Sequence, residues 1–317
     1  MNEVVLYGME GSNPLAFFAA LGALRVLSEA RGREDVRLAW RSEGYWRPVL
    51  SGVRDVEAIV GVVMEDLPSW KNEPALDWAY VKEANGEGRS VEPDAPGAIH
   101  DLKPPREVQR RFFEEAAQRA IEGVSKRTER LASSWGTDVA LDRSGFIKPT
   151  ALHFTAGQQQ FLKMVCELRE GITADDVRAA LNGPWTYESK LPSLSWSGTG
   201  QRMWALRACD PSKEKRGSCP GAEWLAFIGL QFFSCVPQKH RVKTTCVRGG
   251  WKSGRFTWPL WTAPIGVSVV SSLLQTSGLE GMKAQDRAAR RIGAVFQASI
   301  QRLDQGGYGS FSPASAV

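Results

Sequence analysis

Most of the short motifs that mark enzyme chemistry are missing from this 317-residue chain. No GxxxxGK[ST] loop is present to cradle a nucleotide phosphate. The window Gly249-Gly250-Trp251-Lys252-Ser253-Gly254-Arg255 has suitable residues at the wrong spacing. Gly198-x-Gly200-x-x-Met203 fails the dinucleotide fingerprint at its third glycine. GxSxG and HExxH do not occur. Only three histidines exist, His100, His153 and His240, too scattered in sequence to mark a metal cluster. The five cysteines are odd in number and form no CxxC pair. That excludes a zinc ribbon and a disulfide framework and fits reduced thiols in the cytoplasm. No leader, no Asn-x-Ser/Thr sequon and no apolar window of about 18 residues is found, so neither secretion nor a membrane partner is expected. No catalytic constellation, metal ligand set or cofactor follows from these residues. A Cys235–His240 nucleophile pair is weighed against an inert cysteine in an apolar helix, and the inert reading is preferred.

What the chain does have is apolar bulk, arginine and tryptophan. The hydrophobic fraction is 43%, with 12 Trp and 13 Phe, enough for one large core or two medium ones. Lys+Arg exceed Asp+Glu by 40 to 35, a net charge of +5 that permits a nucleic-acid partner without requiring one.

Pattern places an α+β fold of helices and short antiparallel hairpins. A strand at Glu3–Tyr7 leads to a helix capped by Ser12 or Asn13, with Pro14 in its first turn. This helix, within residues 13–30, is apolar nearly all round and should be buried; Ala19, Ala20, Gly22 and Ala23 allow close packing. Val36–Trp40 and Tyr45–Leu50 form a hairpin, and Val56–Leu67 a helix. Pro68–Pro105 reads as an irregular excursion ending at a plausible boundary, giving regions 1–105 and 106–317 or one domain. One helix is expected over Arg106–Leu131, and a capping box at Thr173-x-x-Asp176 opens a short helix ending near Asn182-Gly183-Pro184. Residues 221–235 form a second apolar helix, and Ile265–Gln275 is helix or buried strand. The tail from Ala289 is preferred as a closing hairpin.

Two stretches bear on function. In Ile147–Arg169 the residues Gln158, Gln159 and Gln160 fall at the first turn of an amphipathic helix carrying Lys163. There, free N–H groups favour an anion, and amides suit base edges. The plain alternative is a solvated helix entry. In Gln238–Trp258 six cations, Lys239, Arg241, Lys243, Arg248, Lys252 and Arg255, occur without one acidic residue and interleave with Trp251, Phe256 and Trp258. Alternation puts Lys239, Arg241 and Lys243 on one side of a strand, as backbone contacts for a nucleic acid or as a solvated basic hairpin. A further cluster, Lys283, Arg287, Arg290, Arg291 and Arg302, is diluted by Asp286.

Several segments together resemble a known family: NPLAFFAALGALRVL, HFTAGQQQFL, AEWLAFIGLQFF, FTWPLW and ARRIGAVFQASIQR. They are similar to the small large-subunit family (the Csb-three type) of type I-G, formerly I-U, CRISPR surveillance complexes. The likeness spreads from Asn13 to Arg302, and Pro68–Pro105 has no counterpart in it. The resemblance implies a non-enzymatic subunit near the crRNA 5′ end, beside the CRISPR backbone and 5′-end subunits. It implies PAM recognition in double-stranded target DNA, duplex opening and presentation of the displaced strand to a recruited helicase-nuclease. Guide pairing would supply sequence specificity. Lys239, Arg241, Lys243, Arg248, Lys252 and Arg255 are then expected on the nucleic-acid backbone, and Gln158, Gln159 and Lys163 on base edges or RNA. Two other classes compete: a stand-alone RNA or single-stranded-DNA binder, and a scaffold whose Trp-rich surface binds protein.

Overall fold

The computed structural model describes residues 2–30, 35–83, 87–123, 126–198, 217–239, 241–302 and 308–317. Its fold is α+β, with five small antiparallel sheets among the described residues. β1 (Glu3–Val5) is followed by α1 (Pro14–Glu29), whose first turn is closed by Asn13 Oδ1 accepting from Leu15 N at 3.1 Å. β2 (Arg37–Glu43) and β3 (Tyr45–Ser51) form a hairpin, and β1 pairs with β3. α2 (Val56–Asp66) starts on Asp55.

The 68–105 stretch is more ordered than its composition implies. It holds a 3₁₀ turn at Leu67–Asn72, the short α3 (Pro74–Asp77), and the hairpin β4 (Ala79–Lys82) with β5 (Gly88–Val91). Trp70, Leu76, Trp78, Tyr80 and Leu102 bury there, so a few anchors hold a segment that lacks periodicity.

The single helix expected over Arg106–Leu131 is two, α4 (Arg106–Ile121) and α5 (Arg127–Trp135). The break follows from Gly123, whose φ of 69° lies in the left-handed region that ends helices. β6 (Gly136–Leu141) and β7 (Ile147–Pro149) pair next. α6 (Phe161–Gly171) precedes α7 (Ala174–Asn182), which opens on the expected Thr173/Asp176 capping box. The second apolar helix, α8 (Pro220–Gly229), is shorter than residues 221–235. A 3₁₀ turn at Leu230–Phe232 ends it, and Cys235 opens a strand instead of closing a helix.

The remaining strands are β8 (Cys235–Gln238), β9 (Arg241–Thr244), β10 (Val247–Arg248) and β11 (Arg255–Trp261). α9 (Val267–Leu274) resolves the helix-or-strand ambiguity in favour of helix, and α10 (Ala284–Ala289) follows. β12 (Ile292–Arg302) and β13 (Gly309–Phe311) make the closing hairpin, with β14 (Ser315–Ala316) also on β12. β10, β11, β12 and β13 are neighbours in one sheet.

One buried cluster runs from Val4 to Phe311 and draws on both 1–105 and 106–317. Its axis is the crossing of α1 over α8. A Cβ on Gly22 would fall inside van der Waals contact of the Leu225 carbonyl, and one on Gly229 inside that of Phe18. The two backbones therefore touch, which only glycine permits. Phe17 and Phe18 project from α1 into rings of Trp40, Trp258, Trp261, Phe233 and Phe256. The indole N–H groups of Trp258, Trp261 and Trp196 donate to Gly11, Leu38 and Leu152 carbonyls. Among the described residues, no helix is long and apolar enough to cross a membrane.

Candidate nucleic-acid interface

β8 and β9 form a tight hairpin with Gln238 opposite Arg241, and Lys239 sits in its turn with a φ of 57°. Lys239 is thus out of the strand alternation, and the expected row of three cations on one strand side reduces to Arg241 and Lys243. Both are exposed while Thr244 is buried. The chain then turns into β10 and again, after Arg248, through Gly249-Gly250, whose first glycine has a φ of 92°. Arg248 pairs across the ladder with Arg255, and its guanidinium forms an ion pair with Glu280.

Between this double hairpin and β7 lies a cleft of about 720 Å³. Arg241, Lys243 and Arg248 line it, and the fold adds Lys103 and Lys148 from distant segments. Trp251 stands on the same wall. The acidic residue in the lining is Asp142, whose Oδ1 accepts from Ser144 N at 2.8 Å and Phe146 N at 3.0 Å, so it is committed to its own turn. Among the described residues no carboxylate pairs with Arg241 or Lys243. Burial holds the Lys103 ammonium below its ordinary range, with the Asp101 carboxylate opposing. Lys239, Lys252 and Arg255 are exposed but do not line the cleft.

The aromatic part of the expectation changes most. Phe256 and Trp258 are fully buried and face α1, so they are core residues. Trp251 alone of the described tryptophans is exposed, at 44%. A Trp-rich binding surface, the premise of the scaffold reading, is therefore not what the described residues form; their indoles sit in the core.

The glutamine stretch also differs from expectation. α6 begins at Phe161, so Gln158 and Gln159 precede it in an exposed turn, and Gln160 is its N-cap residue. Gln160 Oε1 accepts from His100 N at 2.7 Å. The helix start is satisfied from within: Phe161 N donates to Asp101 Oδ1 at 3.3 Å and Leu162 N to the His100 carbonyl at 3.0 Å. The anion that a helix N-terminus favours is supplied by Asp101. Lys163 is exposed on α6, and neither it nor Gln158 or Gln159 lines the cleft.

Asp101 also holds the buried His153. His153 is fully buried, with Nε2 at 2.8 Å from Asp101 Oδ1 and 2.7 Å from Thr155 Oγ1. Both partners meet the same nitrogen, so the three do not form a proton relay; the carboxylate requires the proton on Nε2. Burial lowers the affinity of this imidazole for a second proton, with Asp101 working against it. Arg302 holds the same segment. It donates to the Ala151 and His153 carbonyls at 2.8 and 2.9 Å and, through Nε, to the Trp251 carbonyl at 3.2 Å. Its guanidinium lies 3.6 Å from the Trp251 ring centroid. Burial brings Arg302 down to about 10, which leaves it charged at neutral pH. It is thus a clamp and no part of an open basic patch; Arg287 likewise turns inward, to the Val317 and Met282 carbonyls.

Cys235 is buried at the start of β8, its thiol pushed up to about 11 by desolvation and donating to the Ser134 carbonyl at 3.3 Å. His240, its expected partner, lies outside the described residues. No group of three or more potential metal ligands occurs among the described residues.

Lys103 and Lys148 were not legible as site residues, because each is a lone lysine in a Pro- or β-rich stretch of ordinary composition. The signal for Trp251 was its place in the basic window. No protein-family model matches this chain, and a search of curated proteins finds no match.

Proposed function

We propose that this protein is a nucleic-acid-binding, non-catalytic large subunit of a crRNA-guided type I CRISPR complex, and that the cleft between β7, β9 and β10 holds nucleic-acid backbone. One observation carries the binding part. Five cations from three separate segments converge on one cleft whose lining carboxylate is engaged in its own turn. Cations that converge and outnumber the carboxylates beside them, Asp142 in the lining and Glu280 on Arg248, favour a polyanion. The subunit assignment rests on the five segments that resemble the large-subunit family. PAM reading, duplex opening and helicase-nuclease recruitment belong to that assignment. A modest net charge agrees with it, since neighbouring subunits would share the electrostatic load.

The test is co-expression with neighbouring genes and a CRISPR array, followed by purification through this chain. The expected result is a discrete crRNA in the complex and binding of a PAM-bearing duplex that needs this chain. In the same complex, joint replacement of Arg241, Lys243 and Arg248 by alanine lowers the slope of log K against log salt by roughly 2 to 3, at 0.7–0.9 per lost phosphate contact. An unchanged slope and affinity would sink the cleft assignment. A chain that purifies from that co-expression alone, free of RNA and of backbone subunits, would replace the subunit reading with the scaffold or the solitary binder.

A further inference from the structure

We propose that Trp251 is a base-stacking platform, so that the cleft takes a single-stranded nucleic acid with one unpaired base lying on the exposed face of the indole. This rests on the nucleic-acid reading of the cleft and adds the form of the strand and the residue that grips it.

The indole is exposed yet fixed. Other described tryptophans fill the core or pack against it, whereas Trp251 presents 44% of its surface beside Arg241, Lys243 and Arg248. Arg302 covers one ring face at 3.6 Å, which leaves the exposed area to the opposite face and the edges. The same guanidinium holds the Trp251 carbonyl and is itself locked on Ala151 and His153. Gly249 at positive φ and the Ser253 N to Gly250 carbonyl bond, 3.2 Å, close the turn that carries the ring. A ring fixed from behind loses little freedom on receiving a partner.

The chemistry of the partner follows from the surroundings. A flat ring beside several cations suits a ligand with both a π face and negative charge, which describes a nucleotide within a strand. Bases inside a duplex have their faces covered by neighbours and offer only edges, so a ring that binds faces selects unpaired bases. Stacking is indifferent to base identity. Trp251 would therefore add affinity without sequence preference, while Arg241 and Lys243 carry the salt dependence.

The experiment uses the intact chain and fluorescence anisotropy with labelled oligo-dT, oligo-U and an abasic strand of equal length. Trp251→Ala should weaken oligo-dT or oligo-U binding about tenfold, leave the abasic strand and the salt slope unchanged, and be largely restored by Trp251→Phe. A base-dependent loss on dT alone identifies DNA as the strand, and on U alone RNA; either supports the platform. Equal loss on the abasic strand would mean a structural role and overturn it, as would an unchanged affinity on every strand. If the wild-type chain binds with a salt slope while Trp251→Ala is silent, the stacking inference fails and the cleft reading stands. If the wild-type chain binds no strand, both fall.

Discussion

The crossing of α1 over α8 and the basic cleft lie in one molecule but follow different physics. At the crossing, Gly22 and Gly229 bring backbone against carbonyl, and the facing backbone leaves no room for a methyl group. In the cleft, exposed and half-buried cations line about 720 Å³ of space, held by one guanidinium against an indole and by a few turns. Shape governs the first region, because dispersion and exclusion act over tenths of an ångström. Charge governs the second, because Coulomb attraction falls off slowly and tolerates side-chain motion. A substitution should therefore change stability at the crossing and binding at the cleft.

The largest expected effect tests the shape side. Gly22→Ala should cost about 3 kcal/mol of stability, the upper part of the range for overpacking a core. A urea melt of the variant would show it as a lower midpoint. A midpoint matching wild type would mean that the two helices do not touch as described.

The buried His153, whose carbonyl accepts from Arg302, gives a smaller, pH-dependent effect. Its folded-state affinity for a proton is depressed by burial, whereas in the unfolded chain it titrates near 6.5. Stability from this group is then complete above about pH 6.5 and is lost as the pH falls below that, since only the unfolded chain takes up the proton. The slope is at most about 1.4 kcal/mol per pH unit. Melting curves from pH 8 to 5 should slope more steeply for wild type than for His153→Gln. Parallel curves would assign the acid sensitivity to other groups.

The smallest effect belongs to the charge side. Glu280 neutralises Arg248 in a half-exposed pair, which contributes little to folding. Glu280→Gln should tighten strand binding about threefold by releasing Arg248, with stability moving by less than about 0.5 kcal/mol. Weaker binding in this variant would mean that Glu280 orients Arg248 toward the ligand.

Several elements were readable in advance because their causes are local. Asn13 and Pro14 start α1, the Thr173/Asp176 box starts α7, and the hairpins of β2 with β3 and β12 with β13 follow from turn and alternation signals. The start of α6 was misread by about one turn because its cap is not local. Three consecutive glutamines have good helix propensity, yet Phe161 N takes its partner from Asp101, 60 residues away. The split of α4 from α5 was visible only as Gly123, a residue that a long helical stripe can also tolerate.

For the site, composition alone singled out the basic window, since six cations without an acid need no structure to be noticed. It could not tell Trp251 from Trp258. Both lie in the same window, but one faces solvent above Arg302 and the other packs, tilted, against Phe17 of α1. Nor could it recruit Lys103 and Lys148, which meet Arg241 and Lys243 only after β7 and β9 are brought side by side. Caps, turns and strand alternation depend on dihedral preferences and neighbours within a turn or two, so the chain determines them by itself. The make-up of a cleft depends on which distant segments packing brings together, and only the folded core decides that.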